Sequence, residues 1–292
     1  MKLAFLILIH RYPEQAKKLI RLLLKEPDTT IFIHVDTKAQ AVFEELQHEF
    51  ENEKRVVFIK KRYRVYWGSY NQIRATLGLL KLAHAQGPFD HYSLLSGQDL
   101  PIKPLAEFKK FLAQNPNKEF MMVFKLPNPE NWGGNGGLDR LQLFWINALI
   151  PRYSYTFNRI TALMHRIQKR IGYKRQLRFE PYGGSNWFTL SREGADLVVK
   201  FLKENRWYLR CFKHSRCADE IVVQSILMNS RLKDNMVNND LRFIDWGTGP
   251  EYPRTLRSED KVRFNQDSSK FFGRKFDEKV DAKIIDTLYR EL

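Results

Sequence analysis

Asp219 and Glu220 stand together at the head of an apolar segment, residues 221–228. Carboxylates in a first helical turn complement the helix dipole, so capping competes there with any chemical role. Cations gather near the far end, in Tyr252-Pro253-Arg254 and Gly273-Arg274-Lys275-Phe276-Asp277. Arg and Lys can stabilise the charge that builds on a departing diphosphate much as a metal ion would, given a dry and preorganised site. Any chain that handled a nucleotide-sugar here would need that substitution. No Asp-x-Asp pair, the usual carboxylate clamp for a diphosphate-bound divalent ion, occurs anywhere in the 292 residues. Three further polar clusters each close an apolar run: His10, His34-Val35-Asp36 and Ser96-Gly97-Gln98-Asp99. Any one of them reads equally well as a turn or a cap, but three at the ends of strands point to a site.

Other chemistries lack their signatures. Neither GxGxxG nor GxxxxGK[ST] follows a strand-like run, which argues against dinucleotide enzymes and P-loop NTPases, and no GxSxG elbow is present. Cys211, His214 and Cys217 form C-x2-H-x2-C, but structural zinc needs a fourth ligand and usually paired knuckles. Two near-buried thiols beside a surface histidine is the simpler account. These are the only cysteines, which argues against a disulfide-stapled secreted scaffold and favours a reducing compartment.

The formal net charge of +16 predicts attraction to a polyanion, whether nucleic acid, a phosphate-rich ligand or an anionic membrane. The excess concentrates in residues 141–179, which contain no Asp or Glu but carry Arg152, Arg159, Arg166, Lys169, Arg170, Lys174, Arg175 and Arg178. Within that segment Phe157, Ile160, Met164 and Ile167 share one helical face, a pattern common to solvated surface helices and to helices lying in a membrane interface.

The elements that must position these groups alternate. Residues 3–9 have strand length, and Pro13 opens an amphipathic helix with Ala16, Leu19, Ile20 and Leu23 at helical spacing. Strand-like runs recur at 31–35, 56–59, 92–95 and 120–123, separated by helical patterns through Ile73, Leu77, Leu80 and His84 and through 105–112. Such alternation calls for a mostly parallel sheet covered on both faces, with ligands at the carboxyl ends of the strands. Residues 128–137 read as a mobile Asn/Gly/Pro loop, 187–190 and 241–244 as later strands, and Val280, Ile284 and Leu288 as a closing helix. Met1-Lys2 and the apolar run after them imitate a signal peptide, but the run ends at His10-Arg11 without a small-residue cleavage site, so a buried first strand explains it better.

Taken in order, LILIHRYPEQ, IFIHVD, VYWGSYNQIRA, YSLLSGQDLPIK, GGSNWFTLSRE, ADEIVVQSILMNS, FIDW and FFGRKFD resemble the core-2/I-branching β-1,6-N-acetylglucosaminyltransferase family, glycosyltransferase family 14, which also holds the protein O-xylosyltransferases. The likeness runs through nearly the whole length, and IHVD, LSGQDLP and RKFD are its most diagnostic strings. It implies a single α/β domain over residues 1–292, similar in fold to the GT-A class, with a mostly parallel central sheet flanked by helices. Residues 1–125 would form the nucleotide-binding half and 126–292 the acceptor-binding and catalytic half. It implies an inverting, metal-independent enzyme with no cofactor beyond its UDP-sugar donor.

By the same resemblance Glu220 is the base and Lys275 contacts the donor phosphates. Arg254 is the matching arginine, with Arg257 a substitute because the spacing departs there. Ile9, His10, Asp36 and Tyr66 match positions lining a uridine pocket, Trp246 matches an acceptor-side tryptophan, and Trp187 and Ser185 are assigned to the acceptor side with it. Glu220 would take the proton of an acceptor hydroxyl as that oxygen attacks the anomeric carbon of the UDP-sugar. N-acetylglucosamine in β-1,6 linkage is the first expectation and xylose the alternative. The animal members are luminal, anchored and rich in disulfides. This chain looks like a compact bacterial-type member, expected in the cytoplasm with peripheral contact at the inner membrane, where its basic segment would meet anionic phospholipid beside a glycan or lipid-linked glycan acceptor. A basic nucleic-acid-binding module is the alternative of another class. Tyr153, Tyr155, Phe157 and Tyr173 among cations partly fit it, but it leaves IHVD, SGQD and the C-terminal motif unexplained, so no nucleic-acid partner is expected.

Overall fold

The computed structural model describes residues 1–146, 155–249 and 253–292. Of the residues singled out above, Arg152, Tyr153 and Tyr252 lie outside the described residues, as do the side chains of Tyr155 and Phe157. Among the described residues the strands in chain order are β1 (Leu3–Ile9), β2 (Thr29–Val35), β3 (Val56–Phe58), β4 (His91–Ser96), β5 (Asp99–Pro101), β6 (Glu119–Met121), β7 (Phe124–Lys125), β8 (Tyr182–Gly183), β9 (Phe188–Ser191), β10 (Met236–Asn238), β11 (Arg242–Ile244) and β12 (Phe272–Arg274).

Seven of them form the central sheet in the order β10-β6-β9-β4-β1-β2-β3. β4, β1, β2 and β3 run parallel, β10 runs parallel to β6, and β9 is antiparallel to both of its neighbours. The unbroken apolar character of β1 follows from its central place, because helices cover both faces. Leu3, Phe5, Ile7 and Ile9 share a core with Leu19 and Ile20 of helix Pro13–Leu24, Phe108 of helix Leu105–Ala113 and Ile284 of helix Ala282–Glu291. Ala4 and Leu6 face the opposite core, with Leu77 of helix Tyr70–Gln86, Val198 of helix Arg192–Glu204 and Ile226 of helix Val222–Met228. The fold is the α/β class expected, with a mostly parallel central sheet between helical layers.

A second sheet, β11-β12-β5, decides where the C-terminal motif goes. β12 pairs antiparallel with β5 so that Arg274 lies opposite Asp99, which carries the Arg274-Lys275 pair to the end of β4. Three local expectations are revised. Val280 lies outside the closing helix and is exposed; that helix begins at Ala282, where the Asp281 side chain accepts from the Ile284 amide at 3.1 Å as N-cap. Asp219 and Glu220 sit on a short 3-10 turn, Ala218–Glu220, ahead of helix Val222–Met228 and not in its first turn. Residues 128–137, read as a loop, include a short helix, Pro129–Trp132, whose Trp132 ring lies against Gly137.

Candidate functional site

Backbone hydrogen bonds stitch together the carboxyl ends of β1, β2 and β4. The Asp36 amide donates to the Ile9 carbonyl at 2.8 Å, and the Gly97 amide to the Leu8 carbonyl at 3.0 Å. His10 follows Ile9 and is exposed. Asp36 is buried, with Oδ1 accepting from the Lys38 amide at 2.8 Å and Oδ2 from the Val65 amide at 3.2 Å. The Lys38 ammonium is 3.4 Å from that carboxylate and lies over the Tyr66 ring at 4.6 Å. His34 accepts from the Tyr63 amide through Nε2 at 2.9 Å, and burial pushes its imidazole down to about 4, which keeps it a neutral acceptor. His34 and Asp36 thus anchor the segment that carries Tyr66 and the exposed Trp67.

That segment leads to the carboxylates. The Cys217 amide donates to the Gly68 carbonyl at 2.9 Å, and a Cβ on Gly68, at φ +69°, would lie 2.7 Å from the Cys217 sulfur. Asp219 is held inward, with Oδ2 accepting from Gln72 Nε2 at 2.7 Å and Oδ1 buried without a partner. Glu220 keeps 30% of its side chain exposed, and its Oε2 accepts from Arg140 Nη1 at 2.6 Å. Burial raises the pKa of both carboxyls, and the neighbouring charge of Glu220 raises Asp219 further, whereas Arg140 pulls Glu220 back down.

Arg140 is itself gripped, its guanidinium stacked 3.6 Å from the centroid of Trp132. Trp132 occupies space that a Cβ on Gly137 or Gly183 would claim, at 2.2 and 2.4 Å from its ring, so these glycines make the platform sterically possible. The Gly184 amide donates to the Glu220 carbonyl at 3.0 Å, tying the turn to the start of GGSNW.

From there the contacts run to the C-terminal motif. Ser185 Oγ donates to Asp240 Oδ2 at 3.0 Å. Trp187 is almost fully buried, with the Arg274 guanidinium 4.3 Å from its ring centroid and that of Arg242 at 5.6 Å. Arg274 pairs with Asp99 at 3.3 Å and donates to Ser96 Oγ. Ser185, Trp187 and Arg274 therefore form framework on the sides facing these partners. Lys275 is half-buried and makes no ion pair among the described residues; its carbonyl accepts from the Leu256 amide at 2.8 Å, which aligns the Arg254 and Lys275 segments. Arg254 is already balanced, by Asp245 at 3.3 Å and by Asp260, with Arg263 adding 2.9 and 3.1 Å contacts to the same two carboxylates. The Arg263 hydrogen bond holds the Asp245 carboxyl well below the usual carboxylate range. Arg257 is exposed, and Trp246, beside Asp245, is 55% exposed.

A chain of contacts and short peptide steps thus links Glu220 to the ends of β1, β2 and β4 through Gly184, Trp187, Arg274, Asp99, Gly97 and Ile9 on one side and through Cys217, Gly68 and Asp36 on the other. Among the described residues no three His, Cys, Asp or Glu side chains converge in a way that could hold a metal ion. The Cys211/His214/Cys217 spacing forms no such cluster: His214 stacks on Phe144 at 4.2 Å and burial pushes the Cys217 thiol up to about 12. Sequence reasoning missed the Arg140–Trp132 pair. Its only signal was a tryptophan and an arginine bracketing a run of glycines.

The Core-2/I-Branching enzyme family model matches residues 3–267. Xylosyltransferase 2 of Rattus norvegicus is 25% identical over 307 residues, covering 99% of this chain and 33% of that protein. Xylosyltransferase oxt of Drosophila melanogaster is 24% identical over 309 residues, covering 98% and 33%. The chain spans about a third of the length of these relatives. Among the described residues no helix is long and apolar enough to cross a membrane.

Proposed function

We propose that this chain, which belongs to the Core-2/I-Branching enzyme family and is thereby a glycosyltransferase, moves a sugar from a UDP-sugar to a glycan hydroxyl in one inverting displacement with Glu220 as base. One observation carries the assignment: of the two adjacent carboxylates, Asp219 has one oxygen held by Gln72 and the other buried, whereas Glu220 keeps 30% of its side chain exposed and is linked by contacts to the ends of β1, β2 and β4. Arg140 occupies Oε2 and leaves Oε1 to accept the proton. As the O–H bond of the acceptor breaks, its oxygen bonds the anomeric carbon, and the bond from that carbon to the diphosphate breaks. The departing UDP carries its negative charge towards Lys275, the cation of the C-terminal motif without a carboxylate partner among the described residues. Arg254 and Arg274 are paired with their own aspartates and hold the segments on either side of Lys275, and we assign stabilisation of the leaving diphosphate to Lys275 without a metal.

Xylose is the donor sugar we favour, because the relatives above are named xylosyltransferases; N-acetylglucosamine, the first expectation from the motifs, becomes the second reading. Ile9, His10, Asp36 and Tyr66 are the proposed uridine-side residues, and Trp246 offers an open ring face for an acceptor sugar. The test is calorimetric titration with UDP, UDP-xylose and UDP-N-acetylglucosamine, each with and without EDTA. Tightest binding of UDP-xylose, unchanged by EDTA, is expected. A strict manganese requirement would overturn the cation assignment, and preference for UDP-N-acetylglucosamine the choice of sugar.

A further inference from the structure

We propose that helix Tyr155–Arg170 and the turn after it dock on an anionic phospholipid surface. A surface helix of a globular protein normally buries its apolar stripe. This one does the reverse. Gln168 is buried, accepting from the Phe144 amide at 2.7 Å and donating to the Phe144 carbonyl at 3.2 Å, and His165 packs edge-on against Trp145 with ring centroids 4.0 Å apart. Ile160, Leu163, Ile167 and Ile171, at spacings of three, four and four residues, form the stripe left in solvent, at 43, 58, 51 and 69% exposure. With Tyr173 they make up five of the ten large hydrophobics exposed among the described residues, all within 14 residues of chain. A contiguous apolar patch of this kind marks an interaction surface, whereas apolar residues scattered singly need no account.

Charge selects the occupant. No Asp or Glu occurs in residues 141–179. Lys169 and Arg175 serve the protein itself: Lys169 pairs with Asp139 at 3.0 Å, and Arg175 donates to the His214 carbonyl and Ser215 Oγ, both at 3.2 Å. Arg166, Arg170, Lys174 and Arg178 are exposed and make no ion pair among the described residues; the first two lie on the helix and the other two in the stretch that follows it. An apolar stripe accompanied by unneutralised cations matches acyl chains beneath anionic headgroups. A second copy of the chain on the same face would set this positive segment against itself. At 16 residues the helix is roughly 24 Å long, too short to span a bilayer and suited to lying in its interface. The Lys169–Asp139 pair ties the helix to the segment that carries Arg140, the partner of Glu220. The proposal does not rest on the identity of the transferred sugar.

Co-sedimentation with phosphatidylglycerol/phosphatidylcholine vesicles, against phosphatidylcholine alone, tests it. Recovery should require the anionic lipid and fall as salt rises. Replacing Arg166, Arg170 and Lys174 by Gln should lower partitioning on the order of a hundred-fold. The triple change Leu163→Ser, Ile167→Ser, Ile171→Ser should abolish binding while circular dichroism and UDP release stay unchanged. Equal recovery on neutral vesicles, or wild-type binding by either variant, would overturn the proposal. So would sedimentation velocity showing a dimer that the serine variant converts to monomer.

Discussion

Arg140 donates to Glu220 at 2.6 Å while its guanidinium stacks 3.6 Å from the centroid of Trp132. The aromatic platform fixes the cation, and the cation fixes one carboxylate oxygen of the proposed base. Burial disfavours the ionised form of Glu220, and Arg140 opposes that effect, so the pair sets the pH at which the base becomes available.

A shift in the pH profile follows. Activity requires the deprotonated base and rises with pH through the titration of the Asp219/Glu220 pair. Arg140→Gln removes the charge that lowers Glu220, so the acidic limb of kcat/KM moves to higher pH. Asp219→Asn should leave that limb in place, because burial and the Glu220 charge push the Asp219 carboxyl up to about 8, so it is still neutral when Glu220 ionises. UDP release measured across pH 5–9, a range centred on about neutrality, reads both; an Arg140→Gln limb that coincides with the wild type would remove Arg140 from the control of the base.

The two C-terminal cations should separate by assay. Lys275→Ala should weaken UDP binding by on the order of tenfold or more with uridine binding little changed, because only the diphosphate meets the ammonium. Arg254→Ala leaves Asp245 and Asp260 short of a partner and should cost about 3 kcal/mol of stability. Calorimetry reports the first and denaturant unfolding the second. A stable Arg254→Ala protein with a selective loss of UDP affinity would return the phosphate role to Arg254.

Stability should also depend on pH through Glu119. Its carboxyl is fully buried on β6, accepting from the Ser191 amide at 2.9 Å, and burial pushes it up from 4.5 to about 7. A folded-state pKa above the unfolded value gives a contribution fully present below pH 4.5 and lost as pH rises through 7. The loss is on the order of 3 kcal/mol at 1.36 kcal/mol per pH unit. Glu119→Gln should flatten that fall, gaining on the wild type between pH 5 and pH 8 in thermal unfolding scans over a range of roughly three units. Parallel curves for the two proteins would contradict the assignment.

Much of the scaffold was legible because periodicity reports burial. The apolar run of β1 corresponds to a strand covered on both faces, and the helical spacing of Ile73, Leu77 and Leu80 to a helix that buries one face against the sheet. The strand-end polar clusters were legible for a related reason, since His34 and Asp36 interrupt apolar runs where the chain must turn. Partnerships between distant residues were not. Nothing in the spacing shows that Arg254 is matched by Asp245 and Asp260, that Arg274 reaches back to Asp99, or that Trp132 and Arg140 support Glu220. Nor does an amphipathic pattern say which face is turned inward, as the helix that buries Gln168 and exposes Leu163 makes plain.

The central claim is that Glu220 is the base of a transfer from a UDP-sugar, and Glu220→Gln tests it most directly. UDP release from UDP-xylose, with a glycan hydroxyl or water as acceptor, is measured alongside the calorimetric Kd for UDP. Loss of the base should lower turnover by about two to four powers of ten while the Kd for UDP stays within roughly twofold. A folded Glu220→Gln protein that releases UDP at more than about a tenth of the wild-type rate would contradict the account, because a lost general base costs far more than that.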